Sequence, residues 1–143
     1  MLDDNNVLKQ RDPQDALGIA GNQWEFFSRS FDATFSPKAP VENVVWSGMG
    51  GSSLPAVIVQ SWPRLKLPFE TTRDYDIPAH VGPNTLFIAS SYSGNTEETL
   101  ASLDKAEAAG AQIVIIAAGG KLVERAQEKS YPLFSIPAGI QPR

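Results

Sequence analysis

The chain has 143 residues, with 42% hydrophobic and 20% charged side chains and a net charge of -4. That is enough chain to bury the core of one domain, and the negative balance argues against a nucleic-acid backbone as partner. It has no cysteine, which excludes a disulfide scaffold and thiolate metal sites, and no apolar run approaches the roughly 20 residues that span a bilayer.

Met1-Leu2-Asp3-Asp4 lacks the basic and apolar regions of a signal peptide, so a cytoplasmic protein with no membrane partner is expected. The first periodic stretch runs from Gln14 to Phe35. Asp12 suits an N-cap and Pro13 the first helical position. Leu17, Ala20, Trp24, Phe27 and Phe31 recur at spacings of three and four, the pattern of one core-facing helix. Ser36-Pro37-Lys38-Ala39-Pro40 breaks that helix.

Strand and helix then alternate. Asn43–Ser47 reads as a buried strand leading into Gly48-Met49-Gly50-Gly51, and Ser52–Trp62 as a helix with Pro55 near its start. Residues 68–72 form a weaker strand and Thr85–Ser90 a strong one. Glu97–Ala109 is a helix closed by Gly110, Gln112–Ala117 a strand, Lys121–Lys129 a helix, and Pro132–Ile136 the last strand. Apolar strands each followed by a helix predict a three-layer αβα sandwich around a five-stranded parallel sheet, in the flavodoxin-like order 2-1-3-4-5.

In such sheets a ligand binds beyond the carboxyl ends of the strands, where the strand order reverses. Here that point lies between the first and third strands, and the two polar, glycine-bearing turns of the sequence follow those two strands. Ser91-Tyr92-Ser93-Gly94-Asn95-Thr96 places three hydroxyls at a helix start, where unpaired N–H groups attract anions. A phosphate monoester matches that set of donors. The competing reading is an ordinary capping loop, with Ser93 or Asn95 as N-cap. Gly48-Met49-Gly50-Gly51-Ser52-Ser53 could present N–H groups and the Ser52 hydroxyl to a sugar. It also partly matches the dinucleotide fingerprint, with Ser53 in place of the third glycine and Glu70 about 20 residues on.

Together the two turns resemble the paired signatures of the bifunctional phosphoglucose/phosphomannose isomerases, which carry sugar isomerase (SIS) domains. Met1-Leu2-Asp3 resembles the usual start of that family. Pro137-Ala138-Gly139-Ile140-Gln141-Pro142-Arg143 resembles a third signature. The resemblance implies that Ser91, Ser93 and Thr96 hold a sugar phosphate, that Gly51 and Ser52 contact the sugar, and that Arg143 stabilises charge on an enediol intermediate. It implies glucose, mannose and fructose 6-phosphates as ligands, no cofactor, and pairing with a second SIS domain or a second copy. Ser53 and Ala56 stand where the family often has glycine or another small residue, and Ala138 where serine is common.

On the same resemblance, residues 1–143 form a single SIS domain: residues 1–40 are an N-terminal helix and linker, 41–137 the doubly wound core, and 138–143 the start of a linker to a second domain. The family's catalytic glutamate, histidine and lysine would belong to that second domain. His80, Asp74 and Asp76 read as surface loop residues, and Glu97 and Glu98 as partners of a helix dipole. The expectation is therefore the amino-terminal half of an aldose–ketose isomerase, inactive alone. A stand-alone sugar-phosphate sensor and a nucleotide-binding domain are the alternatives, and a different SIS enzyme is a third.

Overall fold

The computed structural model describes residues 5–28, 34–62 and 64–137. Among them the chain divides into two compact units, one up to Ser28 and one from Thr34 onward. The first holds helices α1 (Asn5–Arg11) and α2 (Ala16–Gly21) and a 3₁₀ turn, Gln23–Ser28. The single long helix expected over 14–35 is thus broken. Asp12 does act as a cap, its carboxylate accepting from the N–H groups of Ala16 (2.8 Å) and Leu17 (2.9 Å). Asp15 then takes a left-handed conformation (φ 53°), and Gly18 and Gly21 dilute the helical preference of the short turn that follows. The expected core stripe is not a core stripe here: Leu17 and Trp24 are 61% and 67% exposed. The side chain of Phe27 and all of Phe31 lie outside the described residues.

The second unit is the predicted sheet. Strands β1 (Asn43–Ser47), β2 (Phe69–Thr72), β3 (Thr85–Ser91), β4 (Gln112–Ala117) and β5 (Leu133–Ser135) pair in parallel in the order β2-β1-β3-β4-β5. Alternation sets the two faces. Val45, Phe87, Ala89, Ile113, Ile115 and Ala117 point to one side. There Leu103 and Ala106 of α4 (Glu97–Ala108) and Leu122 and Ala126 of α5 (Gly120–Lys129) close over them. Each large side chain buried this way contributes about 1.5–3 kcal/mol.

The other face carries Trp46, whose ring lies 6.5 Å from that of Phe69. Helix α3 (Leu54–Gln60) packs against β2, and a 3₁₀ turn, Gly50–Ser53, approaches β3. The β1-α3-β2 crossover runs left along the sheet while β3-α4-β4-α5-β5 runs right. Right-handed crossovers therefore put α3 opposite α4 and α5, giving three layers. The expected helix over 52–62 is shorter than predicted, because residues 50–53 tighten into the 3₁₀ turn.

Candidate phosphate site

The turn after β3 and the turn after β1 meet at the carboxyl end of the sheet. The N–H of Tyr92 donates to the Ser52 hydroxyl (3.2 Å), and the Trp46 indole N–H holds the Ser52 carbonyl (3.0 Å). Gly48 permits this approach, since a Cβ there would stand 2.9 Å from the Ser52 carbonyl oxygen and 3.0 Å from that of Ser90. Gly51 is exposed and Ser52 half-buried beside the hydroxyl-rich loop.

Within that loop the three predicted hydroxyls divide their work. Ser91 is buried at the end of β3. Its Oγ lies 2.7 Å from Thr96 Oγ1 and 3.4 Å from Ser93 Oγ, and accepts from the Gly94 N–H at 3.1 Å. It faces into the loop and braces it. Ser93 is exposed and Thr96 half-buried.

Thr96 is the N-cap residue of α4, yet its side chain makes no capping hydrogen bond. Ser93 Oγ accepts from the Asn95 N–H (3.3 Å), and the Asn95 amide is engaged elsewhere. The reading of residues 91–96 as a self-capping loop therefore fails on geometry: neither Ser93 nor Asn95 caps α4. The first N–H groups of this 12-residue helix are left for an external acceptor, at the end where the macrodipole favours an anion.

A support that sequence reasoning passed over holds the loop from behind. Asn95 donates to the Ser93 carbonyl (3.2 Å) and accepts from the Lys121 N–H (3.1 Å) at the start of α5. Ala118 N–H donates to the Tyr92 carbonyl (3.1 Å) and Leu122 N–H to that of Gly94 (3.0 Å). Gly94 (φ 69°) and Gly120 (φ 68°) face each other across this contact. A Cβ on Gly94 would overlap the Gly119 carbonyl, and one on Gly120 would overlap the Ser93 carbonyl. Two adjacent glycines ending the neighbouring strand were the available signal. Deeper still, Ser47 and Ser102 share a buried hydrogen bond of 2.7 Å beneath the site.

The rim is acidic. Tyr75, on the segment after β2, sits beside the start of α4. The charge of Glu98, then loss of water, then Glu97 hold its phenol above the ordinary value. Lys105 pins that segment through Asp76 at 3.0 Å. His80 lies 3.9 Å from Glu70, both about half exposed, in keeping with a surface role. Arg143 lies outside the described residues. No three His, Cys, Asp or Glu side chains among the described residues gather as a metal site, and no helix among them is long and apolar enough to cross a membrane.

The class that fold and site define is a doubly wound α/β domain with an amide-and-hydroxyl cradle at its topological switch point. Known proteins extend this. No protein-family profile matches the chain. It is 45% identical over 105 residues to the bifunctional phosphoglucose/phosphomannose isomerase of Caldicellulosiruptor bescii, covering 72% of this chain and 31% of that relative. It is 37% identical over 120 residues to the D-glucosamine-6-phosphate 4-epimerase of Sulfolobus acidocaldarius, covering 83% of this chain and 38% of the relative. Tagatose-6-phosphate ketose/aldose isomerase from Escherichia coli superposes with a TM-score of 0.50 over 93% of this chain and 36% of its own, at 15% identity, which speaks for the fold alone.

The fold is that of the SIS domains. The chain is a homologue of the bifunctional phosphoglucose/phosphomannose isomerases and spans about a third of their length.

Proposed function

We propose that this chain binds sugar 6-phosphates, with the phosphate at the start of α4 and the sugar toward Gly51 and Ser52. One observation carries the reading: Thr96 occupies the N-cap position with its hydroxyl uncommitted to capping, so α4 offers bare N–H groups flanked by the Ser93 and Thr96 hydroxyls. Ser91 serves the same site by bracing Thr96 and Gly94. No cofactor enters this binding.

The relatives' names support the ligand class. A phosphoglucose/phosphomannose isomerase and a D-glucosamine-6-phosphate 4-epimerase are both named for a phosphorylated hexose. Aldose–ketose exchange through an enediol needs a base to carry a proton between C1 and C2 and a group to open the ring. Glu97 and Glu98, beside the bound phosphate, would be repelled by it. The proposal therefore assigns the chain to the amino-terminal half of a cytoplasmic isomerase. The base and the ring-opening residues come from another domain, and Arg143 approaches the enediol.

The test is phosphorus NMR with fructose 6-phosphate. The expected result is a shifted or broadened phosphate resonance, with affinity reduced about tenfold or more in Ser93→Ala and in Thr96→Ala. An unchanged resonance at millimolar protein would refute the binding site. Robust isomerase turnover by the purified chain would refute the division of labour.

A further inference from the structure

We infer that Asn95 is a positioning residue of the phosphate site, joining the start of α5 to the ligand through two hydrogen-bond relays. The inference rests on the sugar-phosphate reading above and adds a residue and a second helix to it.

Both relays begin at N–H groups that α5, like any helix, leaves without internal partners. In the first, the Lys121 N–H donates to Asn95 Oδ1 (3.1 Å), and Asn95 Nδ2 donates to the Ser93 carbonyl (3.2 Å). That carbonyl shares its peptide with the Gly94 N–H, which donates to Ser91 Oγ (3.1 Å), itself 2.7 Å from Thr96 Oγ1. In the second, the Leu122 N–H donates to the Gly94 carbonyl (3.0 Å). That carbonyl shares its peptide with the Asn95 N–H, which donates to Ser93 Oγ (3.3 Å).

Every link runs in the same direction. Each peptide accepts at its carbonyl and donates at its N–H, and the Asn95 side-chain amide does the same. The Ser91 and Ser93 oxygens receive one N–H apiece, which leaves their O–H groups to donate onward. Ser91 then serves Thr96 at 2.7 Å, and Ser93 serves an acceptor outside the loop, since its approach to Ser91 is long at 3.4 Å. Hydrogen bonds chained head to tail polarise one another, so these hydroxyls become stronger donors than isolated ones. The positive end of α5 is thereby added to that of α4. An ionised phosphate, which only accepts, is the ligand such a loop suits. Gly120 keeps the contact close: its backbone is left-handed (φ 68°), and a Cβ there would stand 2.7 Å from Asn95 Nδ2.

If Asn95 only stiffened the loop, its loss would lower stability and α5 would not respond to ligand. Phosphorus NMR and amide nitrogen–proton spectra, both with fructose 6-phosphate, separate the two roles. In the parent, binding should move the Lys121 and Leu122 amide resonances and leave that of Glu128, near the far end of α5, in place. In Asn95→Ala the Lys121 response is lost, the Leu122 response remains, and affinity falls about fivefold. Far-UV circular dichroism checks that the variant is folded, and the parent spectra test the relays without any variant. A parent that binds fructose 6-phosphate while Lys121 and Leu122 stay unmoved overturns the inference, as does an Asn95→Ala protein that binds as tightly as the parent. A parent whose phosphorus resonance does not respond refutes the sugar-phosphate reading, and the inference falls with it.

Discussion

Removing the Ser91 hydroxyl should loosen the phosphate loop without touching the ligand. In Ser91→Ala the 2.7 Å bond to Thr96 disappears and so does the 3.1 Å bond from the Gly94 N–H. That N–H keeps a second acceptor, the Ser91 carbonyl at 3.2 Å, so no buried donor is stranded. Two neutral hydrogen bonds at about 0.5–1.5 kcal/mol each set the loss at about 1–3 kcal/mol of stability. Thr96 then turns freely, and the cost of holding its hydroxyl toward a phosphate adds to binding, for a loss of about fivefold in affinity. Thr96→Val should cost more in binding, about tenfold or beyond, since a hydrogen bond to a charged acceptor is worth about 1.5–3 kcal/mol. In stability it should cost only the shared bond to Ser91, about 0.5–1.5 kcal/mol, because Thr96 makes no cap bond. The assay is a double-mutant cycle, reading urea midpoints for stability and phosphorus NMR titration for affinity. The two substitutions should be coupled by about 0.5–1.5 kcal/mol in stability, because they remove the same hydrogen bond. Additivity within about 0.3 kcal/mol, or a Ser91→Ala protein as stable and as tightly binding as the parent, would refute the bracing role.

Gly94→Ala should abolish ligand binding and destabilise the fold by more than about 2 kcal/mol, because it adds an overlap with the Gly119 carbonyl to a left-handed backbone. Gly50→Ala, equally left-handed (φ 51°) but with nothing within 4 Å of the new Cβ, should cost only about 1 kcal/mol, and thermal melts compare the two. Glu107→Gln leaves Arg125 (3.0 Å) and Lys129 (2.5 Å) without their shared carboxylate between α4 and α5, and should lower the urea midpoint slightly. The Lys105 hydrogen bond, then the Ile77 N–H, lower the Asp76 pKa, so its stabilising contribution is present above the unfolded carboxylate value and is lost as pH falls through the lower folded value. Carbon-detected NMR should show Asp76 titrating below a free aspartate in the parent and returning toward it in Lys105→Met.

The parallel sheet was readable because each strand is short, apolar and followed by a turn signal. Gln112–Ala117 is a strand with the predicted bounds, and Glu97–Ala108 falls one residue short of its predicted end. The stretch from Gln14 to Ser28 departs from the expected single helix for a physical reason. Helical spacing of Leu17 and Trp24 says which residues share a face, not what covers it, and the Gly18 and Gly21 interruptions outweighed the periodicity. Of the site, the sequence showed which hydroxyls gather but not which way they point. Ser91 and Ser93 are two residues apart, and only the end of β3 decides that one is buried and the other open. The Asn95 bracket to α5 was invisible, since it joins residues 26 apart in sequence through a contact that exists only once β3 and β4 are neighbours.

The relatives constrain what this cradle can contribute to a reaction. One relative is named an isomerase and another a 4-epimerase, and each is similar to most of the present chain. A site that fixed the reacting carbons would have to differ between them. A site that grips the phosphate, which takes no part in either reaction, need not. On the proposed reading the loop supplies binding energy remote from the chemistry, and that energy becomes rate only if a partner surface uses it to orient the sugar. The cradle should then discriminate poorly among hexose 6-phosphates. Fructose, glucose and glucosamine 6-phosphates should bind the isolated chain within about threefold of one another, about 0.7 kcal/mol, and inorganic phosphate more weakly. A strong preference for one hexose would mean instead that Gly51, Ser52 and their neighbours already read the sugar.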